Sequence, residues 1–344
     1  MAEKTYMQLC ETMARRGGMY PGMDIPEFYE MAQELFSPEE AAVSMDRSEE
    51  EIAQILEEMA DKGLCMSRRE GDKNGYAGPA FVPGIFEYQF LRGTETERDR
   101  KLAWLIHKYK AAVDRNRTLQ EGAFPTMRVI TVDRTIKAGN RIHTYDQVKS
   151  YIENTELLAL STCYCRHQAK LIDAKSHCGN PDDVCLQFGK GARFVIERGM
   201  GRKIEKEEAI RVLDRSEEAG LVHCTNNRQE IDFLCNCCSC HCMILKYALA
   251  HLKPALVTNS GFQPCWDLEL CTSCETCVDR CPMNALNMDE HDKPLVDLDR
   301  CIGCGVCATG CPSEAIEMEK RGDIPEPPVD YKALKEAIKA GIDT

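Results

Sequence analysis

The chain has 344 residues, 43% of them hydrophobic and 29% charged, and carries a formal net charge of -13. That length allows two or three domains rather than a single core, and the composition is that of a globular protein. The negative charge disfavours nucleic acid or an anionic membrane as a partner. No stretch reaches the roughly 18 apolar residues of a membrane span, and the start MAEKTYMQLCETMARRGG lacks the apolar region of a signal peptide. A cytoplasmic protein is expected. Cysteine stands apart: 21 residues, about 6% of the chain, more than packing alone explains. In a reducing compartment that number argues for metal coordination over a disulfide framework.

Residues 37–82 read as two helices and a hairpin. Ser37 caps a short helix in SPEEAAVSM, with Pro38 at the first helical position, where a missing N–H costs nothing. A second helix begins after Ser48 in SEEEIAQILEEMADKG. There Ser48 and Glu51 make a capping box, Ile52, Ile55, Leu56 and Met59 recur at helical spacing, and Gly63 ends the run. The hairpin LCMSRREGDKNGYAGPAFV follows. This order resembles a winged-helix module, which implies that the second helix stands where a recognition helix would. Its outward face carries Glu49, Glu50, Glu57, Glu58 and Asp61, so phosphate repulsion opposes DNA reading despite Arg68 and Arg69 in the wing. Protein docking is the expected role.

Further along, TERDRKLAWLIHKYKAAV places Leu102, Leu105, Ile106 and Tyr109 on one helical stripe, which core packing accounts for. A strand in MRVITVDRTI and a helix beginning near Thr144 lead into LLALSTCYC, so Cys163 and Cys165 fall at the end of a strand, at the edge of a small α/β domain. The helix in IEKEEAIRVLDRSEEAG has Ala209, Ile210 and Leu213 on one face and Gly220 as its C-terminal cap. Pro325, Pro327 and Pro328 make a stiff linker to a last helix, whose Tyr331, Leu334 and Ile338 are expected to dock on this chain or a partner.

Only Cys10 and Cys65 lie in the first 160 residues, and they read as ordinary thiols; nineteen fall between Cys163 and Cys311. The last eight repeat: Cys271-x2-Cys274-x2-Cys277-x3-Cys281-Pro282, then Cys301-x2-Cys304-x2-Cys307-x3-Cys311-Pro312. Over residues 265–320 the chain closely resembles the bacterial two-cluster ferredoxins. The resemblance implies two [4Fe–4S] clusters with crossed ligands, because the cysteine ahead of each proline serves the other cluster. Cys271, Cys274, Cys277 and Cys311 would hold one, and Cys301, Cys304, Cys307 and Cys281 the other. Gly303 and Gly305 suit the tight backbone around a cubane, where amide N–H groups bond to sulfur. Structural zinc on paired cysteines has no need of the third cysteine or of Cys-Pro.

Of the other eleven, Cys265 stands alone ahead of the repeat and ten form no common motif: Cys163 and Cys165 in CYCRH, Cys178 and Cys185 in SHCGNPDDVCLQFG, Cys224, and Cys235, Cys237, Cys238, Cys240 and Cys242 in CNCCSCHC. Together these segments are similar to 4Fe-4S-binding proteins of anaerobes in which a cysteine-rich region precedes a ferredoxin domain. That similarity implies iron–sulfur binding and electron transfer, with no defined reaction. His241 departs from the pattern and leaves open whether a histidine replaces a thiolate. Soft thiolates select iron–sulfur or zinc. The expectation is at least one more cubane within 163–242, on Cys165, Cys178, Cys185 and a cysteine of the 235–242 run such as Cys238, with structural zinc as the alternative. Cys163 and Cys165, two apart on an extended segment, point the same way, and Arg166 would offset thiolate charge. Cys237-x2-Cys240-His241 also fits a c-type haem attachment pattern, set aside because such attachment needs export. Cys224 and Cys265 read as buried thiols, and His167, His177 and His223 as packed or surface histidines.

There is no Walker A loop, no GxGxxG between strand and helix, and no Ser-His-Asp set; GKGAR at 189–193 lacks the context for phosphate. No catalytic residue is assigned. The chain reads as an α+β multidomain protein: a winged-helix-like docking module (1–95), a helix and α/β connecting region (96–160), a cysteine-rich iron–sulfur α/β domain (161–260), a two-[4Fe–4S] ferredoxin domain (261–320), and a proline linker with a C-terminal helix (321–344). The expected function is relaying electrons between redox enzymes in a hetero-oligomeric complex in an oxygen-poor cytoplasm, the acidic surface matching a basic docking face. An oxidoreductase with a substrate-accessible cluster in the middle domain, and a redox-responsive regulator, are the alternatives.

Overall fold

The computed structural model describes residues 2–43, 48–70, 73–116, 124–138, 143–176 and 178–342. Ser44, Met45, the hairpin tip at 71–72, His177 and the side chains of Glu49 and Arg69 lie outside the described residues. Among the described residues, no helix is long and apolar enough to cross a membrane. Helix and sheet are both present, in two compact units. The first comprises Met1–Thr118, Ser161–His177 and Arg193–Arg202, the second Leu119–Leu160, Cys178–Ala192 and Lys203–Thr344.

The first unit is mainly helical. Helices Pro26–Leu35 and Glu97–Asn116 bury Phe28 and Tyr109, whose rings pack with Phe81 and Phe86 at centroid separations of 4.8 to 6.4 Å. Leu102, Ile106 and Tyr109 of the expected stripe are buried, and Leu105 is half-buried. Both capping boxes form: Ser37 Oγ accepts from the Glu40 N–H at 3.2 Å and Ser48 Oγ from the Glu51 N–H at 3.3 Å. They open helices Pro38–Ala41 and Glu49–Asp61, and the antiparallel hairpin Met66–Glu70 with Lys73–Ala77 follows. Glu50 and Glu58 are exposed on the second of these helices. Glu57 and Asp61 are already engaged, because the Arg198 guanidinium pairs with them at 2.7 and 2.6 Å. Cys10 and Cys65 are buried, which pushes each thiol up to about 11.

The strand Leu158–Thr162 ends at Cys163, which is the N-cap of helix Tyr164–Ile172. An extended Cys163–Cys165 segment is thereby corrected. Cys165 lies in the first helical turn, where residues two apart do not face each other. Packing explains the helix: Tyr164 stacks on Phe90, Gln168 Nε2 donates to the Ala103 carbonyl at 3.0 Å, and His167 Nε2 lies 2.8 Å from the Thr94 carbonyl. A carbonyl only accepts, so His167 carries its proton on Nε2 and spends it there.

The second unit is built on a six-stranded sheet with strands in the order Met127–Ile130, Val222–Asn226, Phe233–Cys237, Asp183–Phe188, Leu158–Thr162 and Arg202–Ile204. The first four are antiparallel neighbours. Helix Lys206–Glu218 runs as its pattern predicts and stops before Gly220, whose φ of 70° is the left-handed cap conformation. In the last helix, Tyr331–Ile342, Leu334 is buried and Tyr331 lies over the Arg228 guanidinium. The linker before it is held where Gln229 N and Nε2 donate to the Pro328 and Pro327 carbonyls.

Residues 262–320 show the cysteine repeat as a backbone symmetry. Strand Leu286–Met288 pairs antiparallel with Pro294–Val296, and strand Ile316–Lys320 with Phe262–Trp266; Leu286 opposes Val296 as Ile316 opposes Trp266. Left-handed residues recur at matching places: Ser273 and Glu275 in the first half, Gly303 and Gly305 in the second, and Asn284 and Glu314 three residues after Cys281 and Cys311.

Candidate metal centres

Each half of this symmetric segment surrounds a hollow. One, of about 340 Å³ of space not filled by protein atoms, is lined by Cys301, Cys304, Cys307 and Cys281, with Pro264, Met283, Leu286 and Met318. The other, of about 320 Å³, is lined by Cys271, Cys274, Cys277 and Cys311, with Trp266, Met288 and Ile316. The cysteine ahead of each proline faces the opposite triplet. Backbone N–H groups already point at sulfur: Ala285 N donates to Cys281 Sγ at 3.2 Å and Ala315 N to Cys311 Sγ at 3.3 Å. Eight thiols in two fours, amides aimed at them and two apolar-walled hollows are the donor set an iron–sulfur cubane takes.

The two hollows differ in depth. Cys301, Cys304 and Cys307 are buried, whereas Cys274 is exposed and Cys271 and Cys277 are half-buried. Burial pushes the Cys301 thiol up to about 11 and holds Cys304 and Cys307 higher still. The Thr276 hydroxyl beside exposed Cys274 lowers that thiol instead. The inner hollow is covered by the segment after strand Met127–Ile130 and by the turn before Phe262. The Gly303 carbonyl accepts from the Thr131 and Ser260 hydroxyls, each at 2.7 Å, and Val132 N donates to the Cys304 carbonyl at 3.4 Å.

Residues 270–315 match the family described as the 4Fe-4S dicluster domain. They form a ferredoxin-like 4Fe-4S segment. No curated protein and no solved structure matches the chain.

The remaining cysteines are sorted by the register of the sheet. Cys224 lies opposite Cys235 and Val222 opposite Cys237, so the two-residue pleat puts Cys224, Cys235 and Cys237 on one face. Leu186 opposes Leu234, which puts Cys185 on that face too. Cys237 is in hydrogen-bonding contact with the thiols of Cys224, Cys235 and Cys242, and these contacts, with burial, hold it well above the usual thiol range. Cys242 is the N-cap of helix Met243–Ala250. Cys224, Cys237 and Cys242 belong to one apolar cluster with Cys301 and Cys304 of the inner hollow. Cys224 is the buried thiol that the sequence suggests, and it also has a contact with another thiol, that of Cys237. The one signal for it is the alternation Val222, Cys224 before a turn and the strand bearing Cys235 and Cys237.

On the opposite face of the same strands, His223 Nδ1 donates to Asn236 Oδ1 at 2.6 Å, and its Nε2 is 3.5 Å from Glu217. Arg134 Nε donates to the same carboxylate at 2.9 Å. Burial works against the charge, yet His223 and Arg134 keep Glu217 below its ordinary range. His223 therefore packs away from the cysteines.

Cys178 joins a different group. The donor atoms of Cys178, Cys238, Cys240 and His241 all lie within 4.8 Å of one another. Asn180 Nδ2 donates to Cys178 Sγ at 3.2 Å; against the opposing effect of burial, Asn180 and the neighbouring thiols hold Cys178 below the usual range. Cys185 stands outside this group, its Sγ accepting from Gln187 Nε2 at 3.1 Å. Of the preferred ligands Cys165, Cys178, Cys185 and Cys238, the structure thus brings together Cys178 and Cys238, while Cys163 and Cys165 belong to the first unit. Cys265 lies opposite Glu317 in the ferredoxin-like segment, where its Sγ donates to that residue's carbonyl at 3.4 Å.

Proposed function

We propose that the chain is an iron–sulfur electron-transfer protein or subunit that relays electrons between redox enzymes. The observation that carries this reading is the pair of four-cysteine hollows at two depths in one unit, one at the surface and one in the core. When bound, [4Fe–4S] clusters supply one-electron oxidation and reduction. Cys271, Cys274, Cys277 and Cys311 would hold the outer cluster, and Cys301, Cys304, Cys307 and Cys281 the inner one. The Ala285 and Ala315 N–H groups would stabilise thiolate charge, and apolar walls around the inner site would resist added charge, which is how a protein separates two potentials. Leu268 and Leu270, each 51% exposed, stand among exposed Asp267, Glu269, Glu275 and Asp279 next to the outer cysteines. An apolar spot ringed by acids suits a partner with a basic rim.

A third cubane on Cys224, Cys235, Cys237 and Cys242, whose thiols meet at Cys237 but do not all close on one another, would extend the relay inward, since Cys224, Cys237 and Cys242 share a core with Cys301 and Cys304 and Cys235 packs against it. Protein purified anaerobically is then expected to carry about twelve irons, with matching acid-labile sulfide, and Cys237→Ser about four fewer. A value near eight would leave two clusters, and zinc without sulfide would end the electron-transfer reading.

Helix Glu49–Asp61 with its hairpin is assigned to protein docking as a winged-helix-like module. Exposed Glu50 and Glu58 would repel phosphate, and Arg198 is held by Glu57 and Asp61 instead of being offered to it. The chain is expected to give no sequence-selective shift of duplex DNA at nanomolar protein. A salt-sensitive, sequence-selective shift would favour a regulator instead.

A further inference from the structure

We propose that Cys178, Cys238, Cys240 and His241 hold a single zinc ion in a tetrahedral Cys3His site, distinct from any iron–sulfur cluster in the chain. The spacing of the donors carries the inference. Cys178 Sγ and Cys238 Sγ are 4.0 Å apart, and His241 Nδ1 is 3.7 Å from Cys238 Sγ and 3.1 Å from Cys240 Sγ. Thiolates that share one zinc at about 2.3 Å in a tetrahedron stand about 3.8 Å from one another, and a nitrogen ligand slightly closer to them. The four thiolates of a cubane bind four different irons and must stand around a body of metal and sulfide. The two hollows of the ferredoxin-like segment have that wider form. Among the described residues, no other set of three or more cysteine, histidine, aspartate or glutamate donors closes within 4.8 Å.

Donor chemistry agrees with the spacing. Three thiolates and an imidazole in a closed four-ligand set fit zinc, and no fourth position is left for water. Asn180 Nδ2, 3.2 Å from Cys178 Sγ, is an outer-shell donor of the sort that steadies a metal-bound thiolate. The fold gives the ion a task. Cys178 lies in the loop entering strand Asp183–Phe188, and Cys238, Cys240 and His241 lie in the turn leaving strand Phe233–Cys237. These strands are antiparallel neighbours, so both segments emerge at the same end of the pair. The turn is closed by Cys242 N donating to the Cys238 carbonyl at 3.1 Å, and one ion would pin it to the incoming loop. The ion is structural and undergoes no redox step.

The test uses the full chain purified anaerobically with its clusters in place. Metal analysis is expected to find about one zinc per chain beside the iron, and zinc-edge X-ray absorption about three sulfurs near 2.3 Å and one nitrogen near 2.0–2.1 Å. His241→Cys should keep the zinc and turn the nitrogen into a fourth sulfur. Cys178→Ser should speed loss of zinc to a chelator more than tenfold while iron stays unchanged. Zinc below a tenth of an equivalent, a shell of sulfur alone in the unaltered chain, or a drop of about four irons in Cys178→Ser would each overturn the assignment. The absorption measurement on the unaltered chain decides the matter even if the variants fold poorly.

Discussion

Replacing Cys281 with serine is expected to remove the inner cluster and spare the outer one, although Cys281 closes the first cysteine run in the sequence. The structure turns its thiol toward Cys301, Cys304 and Cys307, and Ala285 N donates to its sulfur at 3.2 Å. Serine offers a hard, weakly acidic hydroxyl where a soft thiolate is wanted, so the cubane would lose one corner. Iron should fall by about four per chain. The destabilisation should be large, because Cys301 and Cys304 are part of the apolar core and would be left as buried thiols around a hollow. Cys311→Ser should also lose about four irons but disturb the fold less, since its partners Cys271, Cys274 and Cys277 are half-buried or exposed. Alkylation of the native protein, read by mass spectrometry, separates the two. In Cys281→Ser, Cys301, Cys304 and Cys307 should become reactive while Cys271, Cys274 and Cys277 stay protected. The reverse pattern would show that each run serves its own cluster and would refute the crossed assignment.

What the sequence discloses here depends on how local the determining contact is. The eight-cysteine repeat is legible because its spacing fixes tight turns within a few residues, and the left-handed positions at 273, 275, 303 and 305 are the result. Capping boxes are equally local, and Ser37 with Glu40 and Ser48 with Glu51 form as their spacing indicates. The middle cysteines are another matter. Cys224 meets Cys235 only through the register of two neighbouring strands, which cysteine spacing does not reveal, and Cys178 meets Cys238 across sixty positions of chain, a pairing that no short window contains. An extended reading across Cys163 and Cys165 conceals helix Tyr164–Ile172, where burial of Tyr164, His167, Gln168 and Leu171 at helical spacing wins. Arg198 neutralises Glu57 and Asp61 from more than a hundred residues away, so an acidic helix face that looks open in sequence is partly occupied.

Gly303→Ala should accelerate loss of the inner cluster more than tenfold, while Glu275→Gly, at the left-handed position of the first half that matches Gly305, should leave cluster retention unchanged. The two halves have the same backbone path but different surroundings. Gly303 has φ 69°, and a Cβ there would sit 2.3 Å from the Phe262 carbonyl oxygen and 2.3 Å from Ser260 Oγ. Backbone cannot swing aside as a long side chain can. The left-handed conformation costs an alanine about 1–2 kcal/mol, and forcing an atom into a filled space adds about 1–3 kcal/mol. The Gly303 carbonyl is also the acceptor for Thr131 and Ser260, so any shift that relieves the overlap stretches the bonds covering the inner hollow. In the first half, Ser273 and Glu275 adopt φ 53° and 59° with exposed side chains, so the same conformation is tolerated there without glycine. Burial, rather than the turn itself, is therefore what demands glycine at 303. The check is the rate of cluster bleaching under a fixed denaturant concentration without oxygen, measured on the full chain. Equal rates for Gly303→Ala and the unaltered protein would mean that the covering segment yields easily, and the inner site would then owe its depth to something other than the close approach of Phe262 and Ser260.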